Sequence, residues 1–425
     1  MAAVQMLYTE QNADVTDTGG IPFTVAASIA AASFTANKEY LILACAFIEG
    51  SGGAFEHHIR LVHIQGVNSI EFTDGNCVID PAASFGGYWA FFMYRFTQPA
   101  ITEVVQLECM GESTSIITVL GSQIFAMKLS DDFVENTDFF WNEVTTDYRT
   151  TGTMAAQAAV TFTPNGTDDW LIIAHGVQGL PSALTTNFEA QMFESVGGTT
   201  TPFLSFEGGD IDVGDEARHF GLFRVFTPSA VAHTFSLRVR SAGADLFTVF
   251  SSRILALRLN KFGQHAFVYT EAADAPLAPP SWETEATISV TPNVTGNWFY
   301  LGSAQGDMGL VSAELNTRLQ DNNSGAFASD PAYGDNGVNT PAWDATNDIP
   351  HGLMKMKSLT SGASRTINLD FNGTGGPTVK HRSLVAFSAE LPSAAPSTPA
   401  AQAAAATQMG VPVSVPQREP EMIAY

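Results

Sequence analysis

The chain has 425 residues, 45% hydrophobic and 11% aromatic, which is ample for packed cores and long enough for roughly two to four domains. Its 43 acidic against 19 basic residues give a formal charge of −24, with Lys and Arg scattered singly, so no basic stripe forms and a binder of nucleic-acid phosphates is excluded. Thirty Phe beside only 15% charged residues point to buried β-structure and away from helical bundles.

The opening "MAAVQMLYTEQNADVTD" has no basic n-region and no apolar h-segment. Nor does any run approach the ~18 apolar residues of a membrane helix. The reading is a protein made and folded in a reducing cytoplasm, neither secreted nor placed in a membrane. A first strand is expected around Tyr8-Thr9-Glu10, and the tripeptide returns as Tyr269-Thr270-Glu271 and, blurred, as Trp141-Asn142-Glu143. Next comes a buried strand, "KEYLILACAF", headed by Tyr40. Cys45, Cys77 and Cys109 are odd in number and confined to the first third, so they are no disulfide framework. Cys45 and Cys109 read as small buried hydrophobes.

"FEHHIRLVHIQ" then offers Glu56, His57, His58 and His63. On a strand His57 and His63 share a face but lie about 20 Å apart, while Glu56 and His58 share the other face at about 7 Å. That gives two ligands and no third, so hydrogen-bonded or solvated surface histidines are expected and no metal. "GGYWAFF" is loop-like, with Tyr88 and Trp89 as possible sugar-stacking platforms. "FFMYRFT" is an apolar strand carrying Arg95. Val105 to Cys109 alternates apolar and polar, the period of a strand with one wet face, and the turn "GESTS" leads to the apolar run "GSQIFAMKLS".

The same order then recurs. "DDWLIIAHGV" and "GNWFYLGSAQ" follow the second and third openings, headed by Trp170 and Trp298; both tryptophans read as core residues. "FGLFRVFT" and "GLMKMKSLT" carry Arg224 and Lys355 where the first copy has Arg95. "FSLRV" and "INLDF" alternate as "VQLEC" does. "SSRILALRLN" and "HRSLVAFSAE" close the series, placing Ala126, Ala256 and Ala386 at equal steps of 130. One unit is written three times. Glu10, Glu143 and Glu271, with Arg95, Arg224 and Lys355, are a candidate recurrent scaffold pairing. "GGDIDVGDEARH" gathers Asp210, Asp212, Asp215 and Glu216, read as an acidic turn over a Ca²⁺ loop.

Short strand-like runs bounded by Gly, Pro, Asn, Asp and Ser predict an all-β chain of three tandem β-sandwiches, jelly-roll-like first and immunoglobulin-like second. The expected limits are 1–135, 136–263 and 264–392, with an Ala/Pro-rich extended or disordered tail at 393–425. Short linkers suggest a semi-rigid, end-to-end rod. The tail ends in Met422-Ile423-Ala424-Tyr425, a possible docking arm for a partner.

Nucleophile elbows, P-loops, Rossmann glycines, HExxH and CxxC pairs are absent from the sequence, so neither enzyme nor cofactor is expected. Over residues 1 to about 392 the architecture resembles virion proteins of tailed bacteriophages built from tandem jelly-roll-like modules, such as capsid decoration, fibre, collar and tail components. That resemblance implies a virion location and partners that are other virion proteins and the chain itself as a homo-oligomer, a trimer first. The alternative is a carbohydrate-binding adhesin or sugar-binding module, reaching a host surface glycan through Tyr88, Trp89 or Trp343. An all-β hydrolase is a third reading.

Overall fold

In the computed structural model, residues 3–390 are described apart from 12, 21, 52–55, 80–84, 101–102, 180–187, 209–216, 242–246, 271–274, 277–281, 308–313, 322–332, 337–347 and 375–377. The first segment forms β1 (Met6–Gln11), β2 (Val15–Asp17), β3 (Thr24–Ile29), β4 (Glu39–Ser51), β5 (His57–Gln65), β6 (Asn68–Ile79), β7 (Phe85–Thr97), β8 (Val104–Gly111) and β9 (Ile116–Lys128). One sheet runs β1-β9-β4-β7, with β2 also on β9, and the other runs β3-β8-β5-β6.

The second segment forms β10 (Phe139–Val144), β11 (Tyr148–Arg149), β12 (Ala155–Phe162), β13 (Trp170–Gly179), β14 (Phe188–Val196), β15 (Thr199–Gly208), β16 (Ala217–Phe226), β17 (His233–Ser241) and β18 (Thr248–Arg258). The third forms β19 (His265–Thr270), β20 (Ala275–Pro276), β21 (Glu283–Val290), β22 (Gly296–Asp307), β23 (Glu314–Asp321), β24 (Tyr333–Asn336), β25 (Asp348–Leu359), β26 (Arg365–Thr374) and β27 (Thr378–Ser388). Their sheets run β10-β18-β13-β16 with β12-β17-β14-β15, and β19-β27-β22-β25 with β21-β26-β23-β24. All three segments therefore trace one path. In each unit a five-stranded sheet, counting the short β2, β11 or β20 that follows its first strand, faces a four-stranded one, and antiparallel sheets in this crossed order make a jelly roll, so the first fold expectation holds and the immunoglobulin-like one does not. We propose that the unit limits fall in the connectors, at 135/136 and 263/264; the tail from 393 lies outside the described residues.

The ladder fixes which residues are equivalent. Ala126 lies between Leu7 and Ile42, Ala256 between Phe140 and Ile172, and Ala386 between Ala266 and Tyr300. Counting from these rungs, Glu10 (opposite Gln123) matches Glu143 (opposite Arg253) and Tyr269 (opposite Ser383). The Tyr269-Thr270-Glu271 echo is thus displaced by two residues from Tyr8-Thr9-Glu10, and Glu271 lies outside the described residues. Likewise Tyr94, not Arg95, occupies the rung of Arg224 and Lys355. Arg95 is one residue on and points to the opposite face.

The two sheets of each jelly roll are buried differently, and the sequence pattern follows. In the second sheet, Val105, Leu107 and Cys109 of β8 are fully buried inside the sandwich while their neighbours face outward, hence the alternation. In β4, every residue from Tyr40 to Ile48 is buried. Its even-numbered residues Tyr40, Ile42, Ala44, Ala46 and Ile48 pack inside the sandwich. Its odd-numbered residues Leu41, Leu43, Cys45 and Phe47 face outward into a second core. A strand buried on both faces reads as a continuous apolar run, which is why β4, β13, β22, β9, β18 and β27 looked so hydrophobic.

That second core is shared by all three units. It gathers Phe91, Phe125 and Met127 from the first, Leu171, Phe223 and Leu255 from the second, and Phe299, Leu301 and Val385 from the third. Phe125 stacks on Phe299 with centroids 3.8 Å apart, and Phe91 lies 6.4 Å from Phe223. The expected rod is therefore not what forms. Outward apolar faces in an open rod would meet water, so the chain folds back until they meet one another. The first and third units close the ring: Val4 N–H donates to Ala389 O at 2.7 Å, and Ala3 bridges Glu390.

Near its middle the shared core has room for few side chains. Phe91, Gly221 and Gly352 are equivalent positions, opposite Cys45, His175 and Ser303. A Cβ on Gly221 would come within 2.3 Å of Phe91 Cδ1, and one on Gly352 within 2.3 Å of Trp89 Cζ2. Two units give up a side chain so that the aromatics of the first can fill the space. Gly221→Ala and Gly352→Ala are each expected to destabilise the fold by about 1–3 kcal/mol through overpacking, read as a lower denaturant midpoint. Phe91→Leu should recover part of the Gly221→Ala loss, and losses that simply add in the double variant would contradict the contact.

Candidate functional site

The junctions between the units bring most of the described candidate residues together, because the edge strand of each doubly buried sheet reaches the first strand of the next unit. In the third unit Lys355 on β25 extends its Nζ to Glu10 Oε1 on β1 at 2.9 Å. Tyr8 braces this pair, its hydroxyl lying 2.7 Å from Glu10 Oε2 and 3.0 Å from Met354 O. In the second unit the matching residue, Arg224 on β16, lies 3.8 Å above the ring of Tyr269 on β19 and donates to Phe203 O at 2.8 Å. In the first unit the matching residue is Tyr94 on β7. It lies 4.3 Å below the Arg253 guanidinium, which Glu143 on β10 holds at 2.7 Å.

One kind of contact thus recurs from first to second, second to third and third to first. Its chemistry varies, as an aromatic under a cation, a cation over an aromatic, and an ion pair. Cation–π contacts contribute about 0.5–2 kcal/mol and hydrogen bonds to charged groups about 1.5–3 kcal/mol, enough to fix the register of surfaces that apolar packing alone would let slide. Of the expected pairing, Lys355 does meet Glu10, although across a junction. Glu143 meets Arg253, since Arg224 faces the other neighbour. Arg95 serves the first connector, with Glu39 and Glu135 at 2.6 and 2.7 Å.

The first junction also holds a directional chain of hydrogen bonds. Arg253, with no exposed side-chain surface, reaches Ser251 Oγ at 3.0 Å and His175 Nδ1 at 3.4 Å. His175 Nε2 lies 3.2 Å from His219 Nδ1, and His219 Nε2 lies 3.2 Å from Asn76 O of the first unit. With Arg253 donating into His175, each ring must carry its proton on Nε2 and pass it forward. Only neutral imidazoles satisfy this order. Burial, with Arg253 adding to it, holds His175 well below its ordinary range, and burial brings His219 down to about 3. Elsewhere His265 on β19 pairs with Asp169 of the second unit at 2.8 Å, and Gln123 Oε1 accepts from Met354 N at 2.9 Å, tying first to third.

The remaining candidates separate clearly. Trp89 is buried against Gly352 and stacks on Phe91 at 5.4 Å, so it is a core residue and no sugar platform. Tyr88 lies in β7, where it faces Ile48 in the ladder. Trp343, the Asp210–Glu216 loop and Met422, Ile423, Ala424 and Tyr425 lie outside the described residues. Trp170 and Trp298 are buried, as expected. The histidines of "FEHHIRLVHIQ" are not surface groups, because β5 lies between β6 and β8: His57 is wholly buried at 3.1 Å from Ile116 O, and His63 pairs with Glu103. Among the described residues, the group spaced to hold a metal ion is Glu56, His58 and Glu112. Sequence reasoning passed over Arg253, His175 and His219, although for His175 a polar residue set in the apolar run "LIIAHGV" was the signal available.

No family model matches the chain, and no curated protein matches it. Among solved structures it is similar to a chain of Sulfolobus Turreted Icosahedral Virus, at 14% identity, 89% of this chain, 90% of that one and a TM-score of 0.19. A second, described as the triple jelly roll fold and turret assembly in an archaeal virus, gives 12%, 91%, 91% and 0.19. The tandem domain CBM22-1-CBM22-2 of Paenibacillus barcinonensis Xyn10C gives 8%, 59%, 92% and 0.20. None reaches a TM-score of 0.5, so fold and site stand on the geometry of this chain alone.

The histidine chain predicts an acid-sensitive fold. Both folded-state values lie below the unfolded one of about 6.5, so stability is complete above that pH and falls as acid protonates the unfolded chain first. The expected loss is up to about 1.4 kcal/mol per pH unit for each histidine below 6.5. Denaturant titrations between pH 6.5 and 5 should show this slope, roughly halved by His219→Gln; a flat profile in the unsubstituted protein would contradict the buried chain.

Proposed function

We propose that the chain is a structural building block of a virus particle, a capsid decoration, fibre, collar or tail component of a tailed bacteriophage. The observation that carries this reading is the shared core. Each unit uses the outer face of its best sheet to hold the other two, so what results is a shape with fixed outer surfaces. The acidic composition favours spaced, soluble units before assembly. Closure of three like modules in one chain supports reading the molecule as an internal pseudo-trimer: the three-fold arrangement expected from three copies is supplied by one, and contacts with other virion proteins then build on that unit.

The sugar-binding alternative loses its best-placed residue, since Trp89 is packed in the core. Light scattering of the isolated protein is expected to give one chain of 45.3 kDa, and mass spectrometry of purified particles from a producing host is expected to find it as a stoichiometric component. Absence from particles, together with saturable binding in a glycan screen, would overturn the proposal.

A further inference from the structure

We propose a divalent transition-metal site, suited to Zn²⁺, formed by Glu56, His58 and Glu112 at one end of the first jelly roll. Strand pairing makes the site. Glu112 follows β8 directly and its N–H donates to Glu56 O at 2.9 Å, so the two acids stand side by side on neighbouring chains. His58, two residues beyond Glu56, shares its face. His58 Nε2 lies 3.3 Å from Glu56 Oε2 and 3.7 Å from Glu112 Oε1, and one ligand atom from each of the three lies within 4.8 Å of the others. Donors of a tetrahedral zinc at about 2.0–2.1 Å bond length stand roughly 3.3 Å apart.

The second observation concerns unsatisfied polar atoms. His58 is 8% exposed, and its Nε2, aimed between the carboxylates, has no hydrogen-bond partner. The Oδ1 of Asn76 is also buried without a partner, although its Nδ2 stands 3.3 Å from His58 Nδ1. Turning the Asn76 amide over sets Oδ1 against the imidazole: Nδ1–H then donates to Oδ1, and the Nε2 lone pair faces the two carboxylates, free to bind a cation. Such a carbonyl behind the imidazole is the usual orienting partner of a metal-bound histidine, and amide orientation is set by the hydrogen-bond network it serves.

Charge agrees with this reading. Two carboxylates on adjacent chains repel when nothing lies between them, and a divalent ion with a neutral imidazole balances them. The imidazole favours Zn²⁺ over the oxygen-seeking Ca²⁺ and Mg²⁺. Three protein ligands leave a fourth position for water or a carboxylate from another molecule. The second unit lacks the arrangement: at the rung of His58 and Met110 it has Glu189 and Arg240, paired at 2.6 Å and complete without an ion.

The test is calorimetric titration of the chelator-treated full chain with ZnCl₂, with a thermal-shift assay alongside. One Zn²⁺ per chain is expected, with a rise in Tm that MgCl₂ and CaCl₂ do not produce. Glu112→Gln changes a half-exposed side chain and leaves the fold intact; it should weaken binding at least tenfold, and His58→Gln should abolish it. Lack of saturable one-to-one binding, or unchanged affinity in Glu112→Gln, would overturn the proposal.

Discussion

Everything in this molecule follows from one constraint: three sheets are apolar on both faces, and neither face can be left in water. The inner face of each is covered by its own second sheet. The outer face has no cover within its unit, and the economical solution is another sheet with the same need. Three such sheets satisfy one another around one core, which explains why Val4 meets Ala389 and why the connectors are short.

Apolar packing alone does not choose a register, and the junctions show how polar groups do so. The edge-strand position occupied by Tyr94, Arg224 and Lys355 meets the first-strand position of the next unit in three chemical versions. A buried charge such as Arg253 is tolerable because Glu143, Ser251 and His175 meet its donors, and the two histidines carry the network to the first unit. Removing any member leaves a buried group unpaired, so the network specifies one arrangement more than it adds stability. The triplicated rung has diverged for the same reason. Phe91, Gly221 and Gly352 cannot all be large where the three sheets converge.

Much of this was legible in the sequence. Period-two alternation in Val105–Cys109 marked the half-buried sheets, the equal spacing of Ala126, Ala256 and Ala386 marked the repeat, and short strand-like runs bounded by turn residues marked the jelly-roll-like sandwich. What was missed is physical. Continuous apolar runs in Tyr40–Ile48 and its copies signalled two buried faces, yet a run cannot say what covers the second face. The Tyr-Thr-Glu echo misled because matching letters two residues out of register still keep strand parity, so Tyr269 stands where Glu10 does. Arg95 misled by a shift of one, which reverses the face. Glu112 escaped because its partner Glu56 is 56 residues away and only pairing brings them together.

Small-angle X-ray scattering of the purified chain tests the closed arrangement most directly. A compact body of this length has a radius of gyration near 22 Å, whereas three units strung end to end would give roughly 35 Å by the same scaling applied to each unit. A value in the low twenties is what the shared core requires. A value above about 30 Å would mean that the three outer faces do not meet.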